Sequence, residues 1–181
     1  MIRIKQALPA LTFWLTMLSA GAEPPAPPDV PLDPQVDTFD ALALPWLAAA
    51  IAESRDAAIR EGVATIPRAI RAALAGYVPD AVLDRARWRV GGGGWLSLQR
   101  NLIGFGYSPA VTLDHAIVFE TAADARDPKL WAHELRHVEQ FMLWGIEGFA
   151  ARYIANYNAL ENDAAEYRWT WMRQTGRVPP P

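Results

Sequence analysis

Apolar residues fall at helical spacing over the first part of the chain that can fold. From Phe39 onward, Leu44, Trp46, Leu47, Ile51 and Ile59 punctuate an alanine-rich stretch, with Glu53, Arg55, Asp56, Arg60 and Glu61 between them. That pattern predicts an amphipathic helix ended by Gly62. Pro67 opens a shorter helix through Ile70, Leu74 and Tyr77, stopped by the run from Gly76 to Pro79, and a further turn is expected from Asp80 to Arg85. The pattern shifts to strand around Trp88 to Val90 and again at Trp95 to Leu98. The four glycines between them, Gly91 to Gly94, lack the lysine and hydroxyl of a phosphate-binding loop and also the G-x-G-x-x-G spacing. They read as a loop or hairpin, with a flap beside a cleft as the alternative.

Two β-prone segments, Ala110 to Leu113 and Ala116 to Phe119, flank Asp114-His115 and predict a hairpin or bent strand. A loop from Thr121 to Asp127 follows, with Asp127 placed to cap a helix whose first residue is Pro128. Leu135, Val138 and Met142 recur as the expected buried stripe of that helix, which ends at Gly145. Two more helices are expected, from Gly148 to Tyr157 and from Ala159 to Arg173. Of the eight tryptophans, Trp131, Trp144, Trp169 and Trp171 are expected to pack these helices together. The order of elements predicts one helix-rich α+β domain over residues 38–176, with a small antiparallel sheet beside the helix that starts at Pro128.

The ends of the chain read differently. Arg3 and Lys5 precede an uncharged, mostly apolar run from Ala7 to Leu18, and Ala20-Gly21-Ala22 has the small-x-small form of a signal-peptidase site. Residues 1–22 therefore read as a cleavable signal peptide, which predicts a periplasmic or secreted product with no stable membrane insertion. Residues 23–37 are dense in proline and read as a polyproline-type linker. Residues 177–181 read as a flexible tail. With no cysteine, neither a disulfide framework nor lipoprotein processing is available, and core packing must hold the fold. A formal charge of −3 argues against nucleic acid or anionic lipid as the main partner.

Candidate chemistry is concentrated in Trp131-Ala-His133-Glu134-Leu135-Arg136-His137-Val138-Glu139-Gln140, an H-E-x-x-H run that holds two of the three histidines. Residues four apart share one helix face, so His133 and His137 are placed to close on one metal ion. Glu134 then sits beside the open coordination position, where a general base is needed. A catalytic zinc takes three protein ligands. Glu161 on the last helix, Glu166 five residues on, and His115 are the open choices for the third. Otherwise His115 reads as a turn residue, Glu166 as a solvated charge paired with Arg168 or a neighbour, and Arg136 and Glu139 as surface residues.

Three blocks in order, Ala110 to Phe119, Leu130 to Gln140 and Leu160 to Ala164, resemble the extracellular contractile injection system core domain family. That family carries a strand block, then H-E-L-x-H-V-x-Q, then L-E-x-x-A; the resemblance spans roughly residues 105 to 167. It implies a zincin-like fold and a gluzincin-like Zn2+ site: His133 and His137 as ligands, Glu161 as the third, Glu134 as the catalytic glutamate. Where related zincins often carry an aspartate after the last alanine, this chain has Ala165. The resemblance also implies that Ala116 to Phe119 offers an edge to which a peptide substrate adds as a strand.

The expected function is zinc-dependent hydrolysis of peptide bonds outside the cytoplasm, on a peptide or protein substrate. Tyr153, Tyr157 and His115 are candidate donors to the oxyanion. The alternative is a catalytically silent, zinc-stabilised binding module within an exported protein assembly. A secreted effector protease would use the same chemistry on another target.

Overall fold

Proline and aspartate set where several elements begin. The first helix, α1 (Thr38–Arg60), is followed by a two-residue strand, β1 (Ala64–Thr65), before Pro67 caps α2 (Arg68–Leu74) and Pro79 caps α3 (Asp80–Arg85). Strand β2 (Arg87–Val90) comes next, then β3 (Ala110–Leu113) and β4 (Ala116–Phe119). A 3-10 turn over Asp124–Arg126 leads into the long helix α4 (Pro128–Gln174). This computed structural model describes residues 38–91 and 109–177, with side chains of α1 from residue 43 on. The expectations for the signal peptide, the proline-rich linker, Gly92 to Gly94, Trp95 to Leu98 and the tail beyond Arg177 lie outside the described residues.

The fold is α+β in one domain, as the pattern of elements predicts. The sheet corrects a detail. Its strand order is β1-β2-β4-β3, with β1–β2 and β3–β4 antiparallel but β2–β4 parallel, so it is mixed rather than antiparallel. The predicted hairpin inserts β4 beside β2. All four residues of β4, Ala-Ile-Val-Phe, are buried, as an unbroken apolar run in a central strand should be. This overturns the expectation that Ala116 to Phe119 is an edge: both of its sides are paired, and β1 and β3 are the edge strands among the described residues. The turn between β3 and β4 rests on Asp114 at φ 57°, a left-handed conformation that aspartate tolerates better than most residues.

Asp127 caps α4 as expected, its carboxylate accepting the Lys129 N–H at 2.9 Å with Pro128 at the first position. The helix then leaves α geometry twice. Gly145 (φ 68°, ψ 176°) occupies a region essentially closed to residues with a side chain. A Cβ there would meet nothing within 4 Å, so the requirement for glycine comes from the backbone alone. Asn156 (φ −159°, ψ 77°) breaks the helix a second time, and its side-chain oxygen accepts the Ala159 N–H at 3.0 Å. That is the geometry of an N-cap for the segment that follows. The result is three helical segments, 128–144, 146–155 and 157–174. The third lies back across the first, joining Arg136 to Asp163 and to Tyr167.

Two apolar clusters hold this arrangement. In one, Trp131, Leu135 and Val138 pack with Tyr167, Trp171 and the α2–α3 region; in the other, Phe141, Phe149 and Leu160 pack with Ile51 of α1. Each large side chain fully buried in this way contributes about 1.5–3 kcal/mol. The expected stripe shifts by one residue at its end. Met142 is 40% exposed and Phe141 is buried instead, stacked on Phe149 at 3.8 Å, because the second segment covers that side. Trp131 and Trp171 are fully buried and Trp144 is half-buried, but Trp169 is largely exposed and does not pack helices together. Trp46 and Ile59 of α1 are likewise exposed; its buried positions are Ala48, Ile51 and Ala58.

Candidate metal centre

Helical spacing puts His133 and His137 on one face of the first segment of α4, and the cap at Asn156 starts the third segment so that Glu161 faces them. The Nε2 atoms of the two histidines are 3.2 Å apart. The Glu161 carboxylate oxygens lie 3.3 Å from His133 Nε2 and 3.5 Å from His137 Nε2. Two ligands each about 2.0–2.1 Å from a tetrahedral ion stand about 3.3 Å apart. The three groups are thus spaced as three corners of such a shell, and they form a group able to hold a metal ion. His137 is buried, while Glu161 keeps about a third of its side chain exposed, so the centre is open to solvent on the Glu161 side.

The rings are held differently. His137 Nδ1 lies 2.9 Å from the Gln140 side-chain oxygen, whereas His133 Nδ1 is buried with no hydrogen-bond partner among the described residues. Burial opposes a charge on His137, but the Glu161 carboxylate outweighs it, helped by Glu134 and Gln140, and the ring's pKa is raised to about 9. Burial alone would raise the Glu161 carboxyl, yet His133 and His137 hold it well below the usual carboxylate range.

These opposite shifts predict a pH profile for the metal-free protein. A histidine with a raised folded pKa stabilises fully below its ordinary value of 6.5, and that contribution is lost as pH rises towards about 9. The Glu161 contribution is present above the ordinary carboxyl value of 4.5 and is lost in acid. Urea unfolding in the presence of chelator should therefore show greatest stability near pH 5–6 and a loss on the order of 2 kcal/mol by pH 9.5. A flat profile from pH 6 to 9.5 would refute the pairing.

Glu134 reaches the contact between the motif helix and the sheet. Its carboxylate is buried and accepts the Thr112 hydroxyl of the edge strand β3 at 2.7 Å. It remains close enough to His137 for its charge to be felt there. Thr112 was not among the residues singled out by spacing; its inward place on a strand beside the motif helix is what brings it to the site.

The remaining candidates sort clearly. His115 sits in the β3–β4 turn with its ring on Asp114 at 2.9 Å, and Asp114 also pairs with Arg55 and Arg85. It is a turn residue, one of the two roles its position predicts, and stands outside the group that includes Glu161. Glu166 is exposed and pairs with Arg173 rather than Arg168. Tyr153 and Tyr157 meet edge to face at 5.0 Å, close enough to Glu161 to feel its charge. Burial raises both phenols, and the Glu161 charge adds to the effect, so both keep their protons at neutral pH.

Arg136 is the largest correction. It is 1% exposed rather than on the surface, and it grips Asp163 with two nitrogens at 2.8 and 3.1 Å. It also donates to Glu139 at 2.8 Å. Sequence pattern hides it because a charged residue between two apolar positions looks solvated until the third segment folds back. Comparison of the chain with protein-family models, with curated proteins and with solved structures finds no match.

Proposed function

We propose that this protein binds one zinc ion through His133, His137 and Glu161 and hydrolyses peptide bonds, with Glu134 as the general base. The observation that carries the reading is the spacing of the two histidine Nε2 atoms, 3.2 Å apart, and of the two Glu161 carboxylate oxygens, one 3.3 Å from His133 and the other 3.5 Å from His137. Glu161 is 24 residues beyond the nearer histidine in the sequence, and two helix breaks bring it back to the pair. The donor set of two imidazoles and a carboxylate suits zinc at a site that keeps a position for water or substrate.

When bound, zinc supplies Lewis acidity that activates water near neutral pH and polarises a scissile carbonyl. Glu134 takes the proton of the attacking water at its carboxylate and passes it to the departing amine. The Thr112 hydroxyl occupies one Glu134 oxygen, and the other has no hydrogen-bond partner among the described residues that would hinder that transfer. Tyr153 or Tyr157, both protonated, donates to the developing oxyanion. The substrate is a peptide or protein met outside the cytoplasm, a reading supported by the signal-like composition of residues 1–22.

Native mass spectrometry of the purified protein tests the metal site. One zinc per chain is expected, and Glu161→Ala should bind it at least about tenfold more weakly, because one of three ligands is gone. Failure of the unaltered protein to take up zinc at neutral pH would overturn the proposal. Undiminished binding by Glu161→Ala would remove Glu161 from the ligand set.

A further inference from the structure

We infer that Gln140 is a positioning residue for this centre, and that Asp163, locked by Arg136, fixes which end of the Gln140 amide meets His137. The inference rests on the metal-binding reading and specifies how one ligand is aimed. Gln140 is fully buried. Its amide bridges two groups: the oxygen lies 2.9 Å from His137 Nδ1, and the nitrogen donates to Asp163 Oδ2 at 2.9 Å. Asp163 is held from behind by the Arg136 fork, with Nε and Nη2 at 2.8 and 3.1 Å from its two oxygens.

The direction of the chain follows from what each group can offer. A carboxylate paired with a guanidinium presents only acceptors, so the NH2 of Gln140 must face Asp163. The amide oxygen is then left for His137. Turning the amide over would set the Gln140 oxygen against Asp163 Oδ2 and leave that buried amide oxygen without a donor, at about 1–3 kcal/mol. His137 must accordingly carry its proton on Nδ1, and Nε2 is the nitrogen presented to His133 and Glu161. Ligating histidines commonly have the other ring nitrogen held in this way, and losing the partner typically costs about 10–100-fold in metal affinity. His133 has no comparable partner among the described residues, so the orientation of the pair depends on His137. Arg136 and Gln140 lie on the first segment of α4 and Asp163 on the third, so this chain of contacts also couples ligand aim to the fold-back that delivers Glu161.

The test compares the unaltered protein with Gln140→Met, which keeps the side-chain length but offers neither donor nor acceptor of comparable strength. Zinc affinity is read by chelator competition, and the His137 ring by nitrogen-15 NMR of the zinc-loaded protein. The unaltered protein should show a slowly exchanging Nδ1–H on His137. Gln140→Met should lose that protection and bind zinc about 10–100-fold more weakly. Asp163→Asn, which permits either amide orientation, should shift both readouts the same way by less and serves if Gln140→Met does not fold. Val138→Ala, a buried position on the same helix, should lower stability and leave both readouts unchanged. Equal zinc affinity in Gln140→Met, or a His137 ring without a proton on Nδ1 in the unaltered protein, would overturn the inference while leaving the metal centre standing. Absence of zinc binding in the unaltered protein would overturn both.

Discussion

Glu134→Gln should leave zinc bound with an affinity close to that of the unaltered protein and lower kcat for peptide cleavage by about 10²–10⁴-fold, the usual contribution of a positioned general base. The substitution keeps the side chain's shape, and the amide oxygen can still accept the Thr112 hydroxyl that holds Glu134 now, at 2.7 Å. What is lost is the ability to take a proton. Because Glu134 is not one of the three groups spaced for a metal, binding and turnover should separate. The measurement is cleavage of a peptide library by zinc-loaded protein, with parallel chelator competition. Retained cleavage in Glu134→Gln would take the general-base role away from this residue. Cleavage absent even from the unaltered, zinc-loaded protein would favour the silent binding module that shares the same ligands.

The elements were largely legible because their signals are local. The hairpin of β3 and β4 falls at the predicted residues, and Asp127, Pro128 and Gly145 mark the bounds of the motif helix. His133 and His137 needed only the four-residue helical repeat. Glu161 needed more: spacing left Glu166 and His115 open beside it, and the resemblance of Leu160 to Ala164 singled it out. The structure brings it to the two histidines through two backbone breaks, at Gly145 and Asn156, that set the third segment back across the first. The pairing of β2 with β4 was not readable, since no local pattern says which of two later strands an earlier one will join. The same limit hid the polar contacts beneath the site. Thr112 meets Glu134, and Gln140 meets Asp163, across separations of 22 and 23 residues. Each looks like an ordinary polar residue until its partner element is placed.

Arg136→Met is where the surface reading and the structure diverge most in energy. A solvated arginine on a helix can be replaced with a change within about 0.5 kcal/mol. Arg136 instead lies buried between Asp163 and Glu139, with its guanidinium carbon 4.7 Å from the centre of the Tyr167 ring. Burial opposes its charge, but the two carboxylates more than compensate, and its pKa is raised. Methionine fills part of the volume and leaves both carboxylates, each less than a fifth exposed, without this cation. Breaking a buried pair by removing one partner costs about 3–5 kcal/mol, because the remaining charge is left uncompensated. That is a large share of the 5–15 kcal/mol typical of a whole domain. Urea unfolding of the metal-free protein should show a loss of this size, and thermal unfolding a drop on the order of 10 °C. The double variant Arg136→Met, Asp163→Leu should recover part of the loss, since the stranded carboxylate is then gone as well. A single variant as stable as the unaltered protein would mean that Arg136 is solvated. The first and third segments of α4 would then be held by apolar packing and the Gln140–Asp163 hydrogen bond, without the arginine.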